Sequence, residues 1–135
     1  MVEYRVLGPV EVRRDDAPVN LGGPQQRRLL AVLLADAGRA VSLDRLEEAL
    51  WPAGDAPAGA RKAVITYVSR VRGALGGAIV TSGLGYRVDP GAALDANQFE
   101  RRVIEAQAAP ATQRLRLYDE ALALWNGPAF ADLAD

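Results

Sequence analysis

At the head of the chain apolar and polar residues alternate. Tyr4 and Val6, then Val10 and Val12, stand against Arg5, Glu11 and Arg13, with Gly8-Pro9 breaking the run. A period of two predicts half-buried strands. Asp15-Asp16 with Pro18 reads as a turn, and a third short strand is expected through Val19 and Leu21. These strands make a small antiparallel sheet with one buried face. After Gly22-Gly23-Pro24 the period becomes helical. Leu29, Leu30, Leu33, Leu34 and Ala37 share one face, Pro24 suits a first helical position that needs no N–H, and Gly38 reads as a left-handed cap. Ser42 is placed to cap a second helix, with Asp44 in its first turn, a stripe of Leu43, Leu46 and Leu50, and a stop at Trp51-Pro52. Two short helices joined by a tight turn form a helix-turn-helix frame.

The stretch "ARKAVITYVSRVRGALG" (residues 60–76) predicts a third helix, because Val64, Val68, Val71 and Leu75 recur at steps of four, three and four. Opposite this stripe lie Lys62, Thr66, Ser69, Arg70 and Gly73, flanked by Arg61, Tyr67 and Arg72; Ile65, near the boundary, is expected to be partly buried. Gly76-Gly77 stops the helix. Ile79 to Thr81 and Tyr86 to Val88 then read as a hairpin around Gly83-Leu84-Gly85, with Tyr86 packing into the core. A hairpin directly after a basic helix is the order of a winged helix-turn-helix.

Asp89-Pro90-Gly91 marks a boundary, with one domain at 1–90 and the start of another at 91–135. Beyond it the pattern is helical again. One stripe carries Phe99, Val103, Ile104 and Ala106 after Asp95 or Asn97; the other runs from Leu115 to Trp125 and ends at Asn126-Gly127-Pro128, with Pro110 between them. This hairpin offers a broad apolar surface that it cannot cover by itself. The chain stops at Asp135 about where a third helix is expected, which reads as a piece of a longer protein. The fold class is α+β.

Charge sharpens this division. Residues 1–90 hold twelve Lys/Arg and ten Asp/Glu, residues 91–135 four and seven, and the whole has a net charge of -1. Within that near-neutral chain, residues 60–76 carry four cations and no acid. Lys62 is the sole lysine in a chain of 16 Lys and Arg, so arginine as such carries little functional meaning. The absence of cysteine and histidine excludes a disulfide scaffold and removes the commonest zinc ligands and the usual imidazole base. No cofactor or metal is implied. Neither a signal peptide nor an apolar run of about 18 residues is present, so a soluble cytoplasmic protein with no membrane partner is expected.

An enzyme is disfavoured. Glu47-Glu48 and Asp15-Asp16 are sequential neighbours that do not face one another, and no carboxylate is embedded in an apolar run that would raise its pKa. The cation-rich helix has two readings. One is a solvated amphipathic surface; the other is a DNA-reading helix, since arginine pairs with guanine edges or phosphates and Thr and Tyr make both kinds of contact. The frame before it, its acid-free face and the hairpin after it favour DNA. As a wing, the hairpin would bring Thr81, Ser82 and Arg87 near phosphates. The runner-up is a protein-interaction module that has lost DNA binding and holds partner helices through residues 99–125.

Four stretches, "LGPVEVRRDDAPVNLGGPQQRRLLAVLLADAGRAVSLDRLEEALWP", "YVSRVRGALG", "VTSGLGYRVD" and "ALALWNGPAFADL", together resemble the Streptomyces antibiotic regulatory protein family, in order and with near-family spacing. The resemblance implies an OmpR-like winged helix followed by the opening of a bacterial transcriptional activation domain built of tetratricopeptide-like helix pairs. It implies activation of biosynthetic genes by side-by-side protomers on direct repeats, with recruitment of RNA polymerase. Lys62, Thr66, Tyr67 and Arg70 match the groove-facing part of the recognition helix, and Arg72 a position near the backbone. Trp51 to Pro57, including Asp55, match the loop that contacts polymerase or a neighbouring protomer. Ser82 departs from the arginine that family members often carry on the wing, so affinity is expected to rest on the helix.

Overall fold

The computed structural model describes residues 1–133. Strands β1 (Val2–Arg5), β2 (Glu11–Arg14) and β3 (Ala17–Pro18) form an antiparallel sheet in that order. The turn between β2 and β3 is Asp15-Asp16, with φ of 51° and 66°. Paired left-handed residues are what a two-residue hairpin needs to match the strand twist, and Asp tolerates that conformation. So tight a turn starts the third strand at once, at Ala17–Pro18 rather than at Val19–Leu21 as the alternation suggests. Pro18 sits on the edge, where a missing N–H costs nothing. Val19 still donates to the Val12 carbonyl at 2.8 Å, and Leu21 is buried.

Helix α1 (Pro24–Ala35) follows, with Leu29, Leu30, Leu33 and Leu34 fully buried at the centre of the core. The helix ends before Gly38, whose left-handed φ of 79° instead turns the chain so that its N–H reaches the Val88 carbonyl at 2.8 Å. Strand β4 (Val41–Ser42) has no counterpart in the sequence reading, being only two residues long. Helix α2 (Leu43–Leu50) is capped as expected by Ser42, whose hydroxyl accepts from the Arg45 N–H at 3.1 Å. Helix α3 (Ala60–Ala74) buries Val64, Val68 and Val71 against α1 and α2.

Strands β5 (Ile79–Ser82) and β6 (Gly85–Val88) form the hairpin, and β4 adds to it in the order β4-β6-β5. Gly85 is therefore a strand residue rather than part of the turn. It pairs with Ser42, and a Cβ there would lie 2.0 Å from the Val41 carbonyl oxygen. The third strand can close on the hairpin only where there is no side chain.

Helices α4 (Asp95–Ala108) and α5 (Ala111–Leu122) form a helical hairpin across Ala109-Pro110. The Phe99 and Trp125 rings meet edge to face at 5.6 Å, and Arg102 lies 3.7 Å from Glu120. Helix α5 ends at Leu122, short of the expected Trp125, because Asn126 turns its N–H onto the Leu7 carbonyl at 2.6 Å.

Asp95 corrects the sequence reading. Only 6% exposed, it is a carboxylate buried among apolar residues, and its two oxygens accept from the Val6 N–H at 2.9 Å and the Leu7 N–H at 3.1 Å. Its burial comes from a segment 89 residues away, which no local pattern reveals. Beside it, Tyr4 and Leu94 make a parallel bridge that extends the first sheet onto the helical pair. On the other side of the same segment, Phe130 donates to the Val6 carbonyl at 2.6 Å and Asp132 accepts from the Val10 N–H.

Replacing Asp95 by Ala leaves two buried N–H groups without an acceptor. We expect Asp95→Ala to lower unfolding stability by about 3 kcal/mol in a urea titration; a loss below about 0.5 kcal/mol would show that these bonds do not hold the two parts together.

Candidate nucleic-acid interface

The stripe of α3 that packs on α1 and α2 fixes what its other side presents. Lys62, Thr66, Ser69, Arg70 and Gly73 are all exposed on that side, as the spacing predicts. Among the described residues neither Lys62 nor Arg70 pairs with a carboxylate. The hydroxyl of Thr66 donates to the Lys62 carbonyl at 3.0 Å, inside the helix.

The remaining predicted cations have protein partners. Arg61, at the N-terminal end of α3, donates to Glu47 at 2.8 and 3.1 Å and also to Asp44, both on α2. Those bonds, Glu47's first and then Asp44's, push the guanidinium pKa up. An acid-free stretch of sequence thus meets acids in space, from the preceding helix. Arg72 turns from the exposed face toward the hairpin. Its Nε donates to the Ile79 carbonyl at 2.9 Å, its NH2 to the Thr81 hydroxyl at 3.1 Å, and its guanidinium lies 5.7 Å from the Tyr86 ring centre. Tyr86 is only half-buried under this cation, not a full core residue. Arg72 lacks a carboxylate partner among the described residues, so its charge stays unneutralised at the root of the hairpin.

In the hairpin, Arg87 donates to Asp89 at 2.9 Å and to the Ser82 hydroxyl at 3.2 Å. Both hydroxyls there accept from arginines, which leaves the Thr81 and Ser82 O–H groups able to donate outward. Tyr67 is half-buried with its ring centre 6.5 Å from that of Trp51. Trp51 in turn ends α2, donating its N–H to the Glu47 carbonyl at 2.9 Å, so it packs where the loop leaves the core. Asp55 is exposed on that loop.

Two exposed apolar residues near this face escaped the sequence reading. Ile65, expected to be partly buried, is 46% exposed; it lies about 100° around the helix from the fully buried Val64. Leu84, at the hairpin tip, is 92% exposed. No periodic signal marks either, because a residue on a helix shoulder or in a two-residue turn falls outside both templates.

Comparison with known proteins agrees with this order of elements. The family described as Transcriptional regulatory protein, C terminal, matches residues 16–88, and the Bacterial transcriptional activator domain matches residues 94–135. The chain is 35% identical to the transcriptional regulatory protein EmbR of Mycobacterium tuberculosis, over 99% of this chain and 37% of that protein. It is 38% identical to the regulatory protein AfsR of Streptomyces coelicolor, over 96% of this chain and 14% of that one. To the transcriptional regulator RedD of the same organism it is 34% identical, over 99% and 42%. A solved structure of Mycobacterium tuberculosis EmbR in complex with a low-affinity phosphopeptide superposes with a TM-score of 0.84 at 32% identity, covering 98% of this chain and 38% of that one. The chain therefore spans just over a third of the length of EmbR. With the mixed sheet-and-helix architecture described above, the N-terminal part is a winged helix-turn-helix. No helix among the described residues is long and apolar enough to cross a membrane.

The arginines separate by what they touch. Arg72→Ala is expected to lower stability by about 1–2 kcal/mol in urea, since it removes two hydrogen bonds that hold the hairpin. Arg70→Ala should stay within about 0.5 kcal/mol of the parent, as exposed residues without partners do. Equal stability of the two variants would show that Arg72 does not tie the hairpin down.

Proposed function

This chain belongs to the Streptomyces antibiotic regulatory protein family of transcriptional regulators, and we propose on that premise that it is a cytoplasmic, non-enzymatic activator that binds double-stranded DNA sequence-specifically. Residues 1–90 would form the DNA-binding unit and residues 91–135 the opening of the activation domain. The observation that supports this reading most is the exposed face of α3, where Lys62 and Arg70 have no carboxylate partner among the described residues while Arg61 and Arg87 are paired. A recognition helix enters the major groove with such a face. Arg70 then pairs with a guanine edge or a phosphate, Lys62 with phosphate, and Ser69 and Tyr67 add polar contacts. The hairpin lies along the adjacent backbone, with Thr81 and Ser82 donating to phosphates and Arg72 adding charge at its root.

By the same premise, protomers bind side by side on direct repeats near promoters of secondary-metabolite genes and recruit RNA polymerase, with Trp51 and Asp55 in the loop that makes the protein contact. A second reading, a protein-interaction module without DNA binding, has its own support. Ile104, Leu115 and Leu122 on the helical pair are 64%, 74% and 60% exposed.

Selection of bound duplexes from a random pool, at two salt concentrations and with Arg70→Ala in parallel, decides between them. We expect a repeated short motif, affinity that falls steeply with salt as counterions are released, and a loss of about 1–3 kcal/mol in Arg70→Ala. If Arg70 meets a base, specificity relaxes at one position; if it meets a phosphate, the log–log salt slope falls by about one. A folded chain that enriches no motif would leave the protein-interaction reading.

A further inference from the structure

Ile65 is a poor choice for the place it occupies. A β-branched residue in the middle of a helix loses side-chain freedom against the preceding turn, and this one regains little by packing, being 46% exposed. Its helical neighbours one turn away are Lys62, Ser69 and Arg61, the last of which is paired with Asp44 and Glu47 of α2. Next to it, Thr66 donates its hydroxyl to the Lys62 carbonyl, which leaves it a methyl and acceptor lone pairs but no donor to offer. Ile65 thus stands as an exposed apolar group one turn from Lys62, at the edge of the exposed face.

We propose that Ile65 is a specificity-determining residue that reads the 5-methyl group of thymine in the major groove. The inference rests on the DNA-binding reading above and adds to it which base is selected. Its surroundings name the partner. Another copy of this face would bring Lys62 and Arg70 against like charges, whereas a polyanion is attracted to them. On the floor of the major groove the four bases present hydrogen-bonding groups, and the single apolar feature is the thymine methyl. Polar contacts from Arg70 select a guanine edge; Ile65 adds discrimination that no hydrogen bond provides, since uracil and thymine share every donor and acceptor. Burying one methyl group accounts for about a fourfold change in affinity.

The test uses the duplex that the chain itself enriches from a random pool, synthesised with each thymine replaced singly by deoxyuracil. We expect one or two positions at which the replacement weakens binding by the parent chain about fourfold. At those positions the ratio should fall to about one in Ile65→Ser, and persist in Ile65→Val, which keeps a branched apolar tip. Since Ile65 is exposed, both variants should melt with the parent. No uracil-sensitive position, or a ratio that survives in Ile65→Ser, overturns the proposal while leaving DNA binding standing. Failure to enrich any duplex removes DNA binding and this proposal together.

Discussion

The buried Asp95 carboxylate holds the molecule's two parts in one body. Strand β1 ends at Arg5, yet the chain runs on through Val6 and Leu7, both buried, whose N–H groups have no strand partner on that side. A carboxylate at the start of α4 accepts both. The same segment is gripped from its other side, where Leu7 and Val6 carbonyls accept from Asn126 and Phe130. At the far end Arg27 of α1 donates to Asp132 at 3.1 Å and to the Val10 carbonyl at 3.0 Å. Residues 6–10 therefore lie between the first turn of α4 and the segment after α5. Helix α1, the centre of the N-terminal core, is fastened to the C-terminal segment through one arginine.

From that body the exposed face of α3 follows by elimination. Its apolar stripe is claimed by α1 and α2, its N-terminal shoulder by the Glu47 and Asp44 carboxylates, and its C-terminal shoulder by the hairpin. Even the last turn is engaged, since Arg14 of β2 donates to the Ala74 carbonyl at 3.2 Å. Cations near a helix C-terminus are favoured by its dipole. What remains unclaimed is a narrow strip from Lys62 to Gly73, and its charge comes from two residues alone. The four cations of this stretch divide into two with side-chain partners in the fold, Arg61 and Arg72, and two without, Lys62 and Arg70, and only Arg61 is neutralised by carboxylates among the described residues.

Local signals were enough for α1, α2 and the buried side of α3. Leucine and valine spacing, a proline at the first helical position and a serine cap act within a turn or two of chain, and neighbours in sequence suffice to read them. What could not be read depends on partners far along the chain. Strand β4 is two residues that exist as a strand only because β6 comes alongside. The pairing of Arg61 with Asp44 and Glu47, which braces α3 against α2, comes from the preceding helix. Ile65 was placed at a boundary by its hydrophobicity, yet burial there depends on whether another element covers the shoulder, and the residue stays 46% exposed. The shift of β3 has a different origin: two aspartates in left-handed conformation turn the chain sooner than Pro18 suggests, so pairing starts at Ala17.

Arg72 has a mechanical consequence. By bonding to Ile79 and Thr81 and lying over Tyr86, it fastens the hairpin to the helix at its root. A hairpin free to swing would settle into whatever groove it met. This one is tied to the helix, so the link sets the opening between helix and hairpin, like the jaws of a gauge. On the DNA-binding reading proposed above, a duplex whose backbone spacing differs from that opening would itself bend or narrow to be held, and the elastic cost would fall on the nucleic acid. Base steps that no side chain touches would thereby enter recognition through their stiffness.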